Sequence, residues 1–100
     1  MSEGLGLSGT KSLLNVTAPT LVSATTGSSY ASRRIGRVHV LVAGTTVGSV
    51  NDAATIALAS AVNQVFSIPN TVGVFLIDFP MTTGIVVTPG TGQTLAVSYD

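Results

Sequence analysis

Apolar residues recur at every second position along much of this chain, in short runs separated by Gly, Pro, Asn and Ser. A period of two is that of a β-strand with one face toward a core. The clearest run is Arg37-Val-His-Val-Leu-Val-Ala43, which places Val38, Val40 and Val42 on one face and Arg37, His39 and Leu41 on the other. Gly44 ends it, and Thr45 to Asn51 reads as a returning partner strand, since Thr and Val suit a half-buried pleat. Leu95 to Tyr99 repeats the alternation, and Gln64 to Ile68 sets Gln64, Phe66 and Ile68 on one side.

Val74 to Phe79 differs, because Phe75, Ile77 and Phe79 oppose Val74, Leu76 and Asp78, so both faces are largely apolar. Such a strand is covered twice, by a second sheet or by another subunit. Ile85 to Thr88 forms a further strand, followed by Pro89-Gly90-Thr91-Gly92, which reads as a hairpin turn. Ser12 to Ala18 and Thr20 to Thr26 flank Pro19, which lacks an N–H and belongs at an edge or turn. Gly27 to Ser32 reads as a loop. Ala53 to Val62 is rich in alanine and follows Asn51 and Asp52, either of which could cap a helix, but a run this short supports at most a helical turn.

The pattern predicts seven or eight short strands at intervals of roughly 8 to 12 residues. The expected fold class is all-β: a single small antiparallel β-sandwich or jelly-roll-like domain over residues 12–100, preceded by a flexible Gly- and Ser-rich N-terminal arm, residues 1–11.

Composition sharpens this picture. Only 8% of the 100 residues are charged, the formal net charge is +0 and mean hydropathy is +0.58. No apolar stretch is long enough to cross a membrane as a helix, since Val38 to Ala43, Ala53 to Val62 and Val72 to Phe79 are interrupted too soon. A small domain with so few charges is expected to bury surface against other copies, as a trimer or larger assembly. Cysteine is absent, which excludes disulfides and thiolate chemistry. The N-terminus, Met-Ser-Glu-Gly-Leu-Gly, lacks the basic and apolar regions of a secretory signal.

Candidate chemistry is sparse. His39 is the only histidine, and Glu3, Asp52, Asp78 and Asp100 are scattered. His39 with Asp52 or Asp78 and a serine forms a triad only on paper, because no serine lies in a nucleophile-elbow context. The expectation is therefore no enzyme, no cofactor and no metal. His39 reads as a solvent-facing or interface residue beside Arg37. Asp78, between Ile77 and Phe79, reads as a buried or interfacial carboxylate paired with an arginine or backbone donors. Asn15-Val-Thr17 matches a glycosylation sequon by chance, and neither Gly90-Thr-Gly92 nor Gly4-Leu-Gly-Leu-Ser-Gly9 has the context of a phosphate-binding loop. Arg33, Arg34 and Arg37 are the one basic cluster. Without stacking aromatics or a wider basic field they do not read as a nucleic-acid site, and they are the candidate partner-binding residues.

The second half of the chain carries a resemblance. Arg37 to Gly44, Asn63-Gln64, Ser67-Ile-Pro-Asn-Thr-Val-Gly73, Pro80, Gly84-Ile-Val-Val-Thr-Pro-Gly-Thr-Gly-Gln93 and Val97-Ser-Tyr99 together resemble a family of small structural proteins of tailed bacteriophages. The resemblance covers residues 34 to 99, and its most specific part pairs Ile68 to Gly73 with Gly84 to Gln93. It implies a virion component at the capsid surface, made in the host cytoplasm: a capsid decoration or cement protein, or the base of a head fibre. The implied partners are the major capsid protein and further copies of the chain, as a homotrimer, with no nucleic acid and no membrane. The alternative is a glycan-binding or adaptor module of a phage fibre or tail.

Overall fold

The computed structural model describes residues 11–24 and 33–100. Of the arm expected over residues 1–11, residues 1–10 lie outside the described residues and Lys11 opens the first strand; the loop from Gly27 to Ser32 and the end of the second expected strand at Thr25 and Thr26 also lie outside them. Eight strands run through the remainder: β1 (Lys11–Val16), β2 (Thr20–Ala24), β3 (Arg33–Val42), β4 (Gly48–Asn51), β5 (Gln64–Ile68), β6 (Gly73–Met81), β7 (Gly84–Thr88) and β8 (Thr94–Tyr99). Two single 3₁₀ turns, Ile56–Leu58 and Ala61–Asn63, occupy the alanine-rich stretch, in line with the helical turn expected there.

The pairings are nested. β1 pairs with β8, β2 with β7, β3 with β6 and β4 with β5, all antiparallel. The chain is thus one long ribbon doubled back on itself, with the β4–β5 connection at its tip. Rolling that ribbon deals alternate pairs to two sheets, β1-β8-β3-β6 (sheet A) and β2-β7-β4-β5 (sheet B). This is the strand order of a jelly roll, and the expected all-β sandwich is the fold observed.

Inward residues of the two sheets form one core. Ile35, Val38, Val40, Leu95 and Val97 of sheet A meet Val50, Ile68, Ile85 and Val87 of sheet B, all buried. Phe66, Phe75, Ile77 and Tyr99 close its margins. Val86 is equally buried but points away from this core. The residue two before it on the same face, Gly84, has no room for a side chain, because a Cβ there would lie 2.3 Å from the Ala53 carbonyl oxygen. The β4–β5 connection therefore covers this flank of β7.

Several expectations are corrected by the roll. Thr45 to Asn51 does not return beside β3: β4 lies in the opposite sheet, between β5 and β7. Gly90 to Gln93 is a β-turn, closed by the Gln93 amide donating to the Gly90 carbonyl at 3.0 Å, with Gly92 at φ +82°. Yet it joins β7 in sheet B to β8 in sheet A, so it is an arch between sheets and not a hairpin. Both segments resemble hairpin halves locally because a local pattern does not record which sheet a strand enters. Val42 does not share the burial of Val38 and Val40, since a register shift between Val40 and Val42 opposite β8 breaks the alternation.

Buried polar side chains rivet the ends. Gln93 is 2% exposed, and its Oε1 accepts from the Gly90 amide at 2.7 Å while Nε2 donates to the Pro69 carbonyl at 2.7 Å. One side chain thus ties the β7–β8 arch to the β5–β6 turn.

Candidate functional site

The outer face of sheet A carries several exposed apolar side chains. Cross-strand registers order it into rows: Ser12, Ser98, Arg37 and Leu76 form one, and Ala96, His39 and Val74 form the next, with Leu14 of β1 adjoining Ala96. Leu14, Leu41, Val74 and Leu76 are between 54% and 69% exposed. The doubly apolar β6 is explained in part: Phe75 and Ile77 pack on the core, but nothing in the described chain covers Val74 and Leu76.

The face is not flat. Ser12, Leu14, His39, Ala96 and Ser98 line a shallow trough of about 220 Å³ on its β1–β8 side. On the opposite side, at the β6 edge, Val74 and Leu76 are exposed. His39, on β3, forms the inner wall of the trough and is half-buried.

The three arginines of the sequence cluster lie along β3. Arg33 opens β3, its backbone opposite Met81, and its side chain falls outside what the structure describes. Arg34 and Arg37 reach the same outer surface because a register shift at Gly36 resets the alternation between them. Arg34 Nη1 lies 3.4 Å from Asp78 Oδ1, with both side chains more than 40% exposed. The expected arginine partner of Asp78 is found, but of the two expected settings, buried or interfacial, burial within the chain is not observed. Asp78 is the extra residue of a β-bulge, at φ +46°, which turns its carboxylate out toward solvent. Arg37 is exposed beside Leu76 and Ser98.

Asp52 has a different task. Its carboxylate accepts from the amides of Thr82, Thr83 and Gly84 and from both threonine hydroxyls, at 2.8 to 3.2 Å. Burial by itself would raise its pKa, but these donors outweigh it and bring the value from 3.8 down to about 2. With its oxygens committed to the corner between β6 and β7, Asp52 fixes that corner in place. The paper triad is not assembled around it, since His39 sits in the trough on the outer face of sheet A.

A second depression of about 270 Å³ lies on sheet B, lined by Ser49, Asn51, Ser60, Gln64 and Thr88 among others. Neither Asn51 nor Asp52 caps a helix. Asn51 is 3% exposed; its Nδ2 donates to the Ser60 carbonyl at 2.7 Å and to Asn63 Oδ1 at 2.9 Å, while Oδ1 accepts from the Ser49 hydroxyl at 3.0 Å. Sequence reasoning missed this network and Gln93; the available signal was an asparagine and a glutamine set among turn residues beside apolar strands. Near the depression, Ile56, Leu58 and Val62 project from the 3₁₀ turns, Val62 at 97% exposure.

Among the described residues, no group of three or more His, Cys, Asp or Glu side chains is placed to hold a metal ion, and no helix is long and apolar enough to cross a membrane. Comparison of the chain with protein-family models, with characterised proteins and with solved structures gave no match.

Proposed function

We propose that this protein is a structural assembly component, a phage capsid decoration or cement protein that acts by burying its surface against copies of itself and against capsid subunits. The observation that carries the reading is that a chain with 8% charged residues leaves two separate sets of large apolar side chains open. One is Leu14, Leu41, Val74 and Leu76 on sheet A; the other is Ile56, Leu58 and Val62 on the 3₁₀ turns. Scattered exposed apolar residues are ordinary, but contiguous sets mark contact surfaces. Jelly rolls recur in viral shells, which supports the reading by fold analogy alone. Arg33, Arg34 and Arg37 on β3 are the candidate polar contacts to the capsid. Quantitative mass spectrometry of purified virions tests this. Hundreds of copies per particle, and heads that rupture at lower temperature when the protein is removed, are the expected results; absence from virions rejects the reading.

A glycan-binding or adaptor module of a fibre or tail is the second reading, favoured by the hydroxyl- and amide-lined depression of Ser49, Asn51, Ser60, Gln64 and Thr88. It ranks lower because no aromatic side chain lines that depression for a sugar to stack on, and Asn51 is already committed internally. Binding on a glycan array that is lost on Gln64→Ala would support it.

A further inference from the structure

We infer that backbone irregularities on its four edge strands keep this domain from extending its sheets onto a second chain, so that copies meet through side chains and not by strand addition. The edge strands are β1 and β6 in sheet A and β2 and β5 in sheet B. Each pairs with a single neighbour, and in each pairing the edge strand holds one residue more than that neighbour. Leu14 and Asn15 of β1 stand opposite Ala96 alone, between the pairs Leu13–Val97 and Val16–Leu95. Val22 of β2 is the extra residue between Leu21–Val86 and Ser23–Ile85. Val65 of β5 is the extra residue between Gln64–Asn51 and Phe66–Val50. Ile77 and Asp78 of β6 face Gly36 alone. The pairing of the inner strands β4 and β7, by contrast, is unbroken. Among the described residues, only Asn15 and Asp78 combine a side chain with a positive φ, at 58° and 46°, and both lie in these edge bulges.

A bulge leaves its extra residue out of the ladder, bends the strand and increases its twist, so the outward N–H and C=O groups lose their regular spacing. What remains for an incoming strand is short. The longest unbroken stretch on any edge is Gly73 to Leu76, and beyond the β6 bulge lies Pro80, which has no N–H to offer. β2 and β5 are five residues long, and their bulges leave at most three consecutive regular positions. Pairs of strands this short are marginal in water. Charge is the commoner guard of a sheet edge. Here Lys11 and Asp78 are the only charged side chains on the four edge strands. The stretch Gly73-Val-Phe-Leu-Ile77 has the β-propensity and lack of charge that favour stacking into extended sheets. In a chain with 8% charged residues, backbone geometry takes over a task that charge performs elsewhere. The inference concerns the isolated chain and does not rest on the capsid reading.

Deletion of Asn15 from the full chain tests this, because it removes the β1 bulge without turning a side chain over. Leu13, Leu14 and Val16 would then face Val97, Ala96 and Leu95 in regular order, with Leu13 and Val16 still toward the core and Leu14 still outward. Deletion of Ser23 does the same for β2 and brings Val22, which packs on the core, opposite Ile85. Both variants should keep the wild-type circular dichroism spectrum and self-associate at least about tenfold more tightly than wild type in sedimentation velocity. Amides of the straightened strand should gain protection from hydrogen exchange as concentration rises. In the wild type, amide exchange in β1, β2, β5 and β6 should be the same at micromolar and millimolar concentration. Folded deletion variants that associate no more tightly than wild type overturn the inference. So do edge-strand amides of the wild type that gain protection with concentration, a measurement that needs no variant to fold.

Discussion

Asp52 Oδ1 accepts from both the amide and the hydroxyl of Thr83, each at 2.8 Å. One residue of β6–β7 is thereby gripped twice by the residue that follows β4, and the corner between the two sheets is held by a carboxylate. Asp52→Ala leaves three amides and two hydroxyls without their acceptor and should cost about 2–4 kcal/mol. Denaturant midpoints at neutral pH check it.

The same carboxylate gives the fold an acid limit. Its folded pKa of about 2 lies below the ordinary value of 3.8, so its contribution is complete above about pH 4 and is lost as pH falls through 2. Partial solvent exposure keeps the effect on the order of 1 kcal/mol. Unfolding titrations between pH 5 and 2 should show this slope in the wild type and a shallower one in Asp52→Asn.

Gln93 should be intolerant of both truncation and charge. Gln93→Ala strips the partners of the Gly90 amide and the Pro69 carbonyl and opens a cavity, at a cost of about 2–4 kcal/mol. In a domain of this size that lowers Tm by roughly 10–25 °C. Gln93→Glu keeps the acceptor for Gly90 but turns an anionic oxygen toward the Pro69 carbonyl. Its deficit should shrink on acidification, because a protonated carboxyl can again donate.

Two glycines of one arch separate steric from conformational demand. A Cβ on Gly90 would fall 1.9 Å from the Thr46 carbonyl oxygen, so Gly90→Ala should displace backbone and cost more than about 3 kcal/mol. A Cβ on Gly92 would meet only Gly44 Cα, at 3.7 Å, an ordinary contact, but φ is +82°, so Gly92→Ala should cost only about 1 kcal/mol. Calorimetric melts of the two variants should rank them in that order.

The arginines divide by role. Arg34→Ala removes a solvent-exposed pair with Asp78 and should change stability by less than about 1 kcal/mol. Arg37→Ala should change it by less than about 0.5 kcal/mol. If the cluster contacts the capsid, Arg33→Ala/Arg34→Ala/Arg37→Ala should fold normally and rebind stripped particles more weakly than wild type.

Fold class was legible in the sequence because inward positions such as Val38, Val40, Leu95 and Val97 keep a strict period of two. Strand partners were not. Thr45 to Asn51 and Pro89 to Gly92 look locally like the halves and turn of hairpins, and only long-range pairing of β4 with β7 and of β8 with β3 assigns them to opposite sheets. The arginine cluster was legible, but the bulge at Gly36 that brings Arg34 and Arg37 to one face was not, because a bulge shifts register without any compositional mark. Asn51 and Gln93 went unseen because a buried amide is recognised only once its partners are in place.

The nested pairing also governs the order in which the domain can be completed. Lys11 lies opposite Tyr99, and β8, the inner neighbour of both β1 and β3, is synthesised after the other seven described strands. Until Thr94–Tyr99 leave the ribosome, sheet A lacks the strand that joins β1 to the rest, and β3 exposes a bare edge. Completion of sheet A must therefore wait for β8, and a chain that lacks it exposes an unpaired strand edge that favours aggregation.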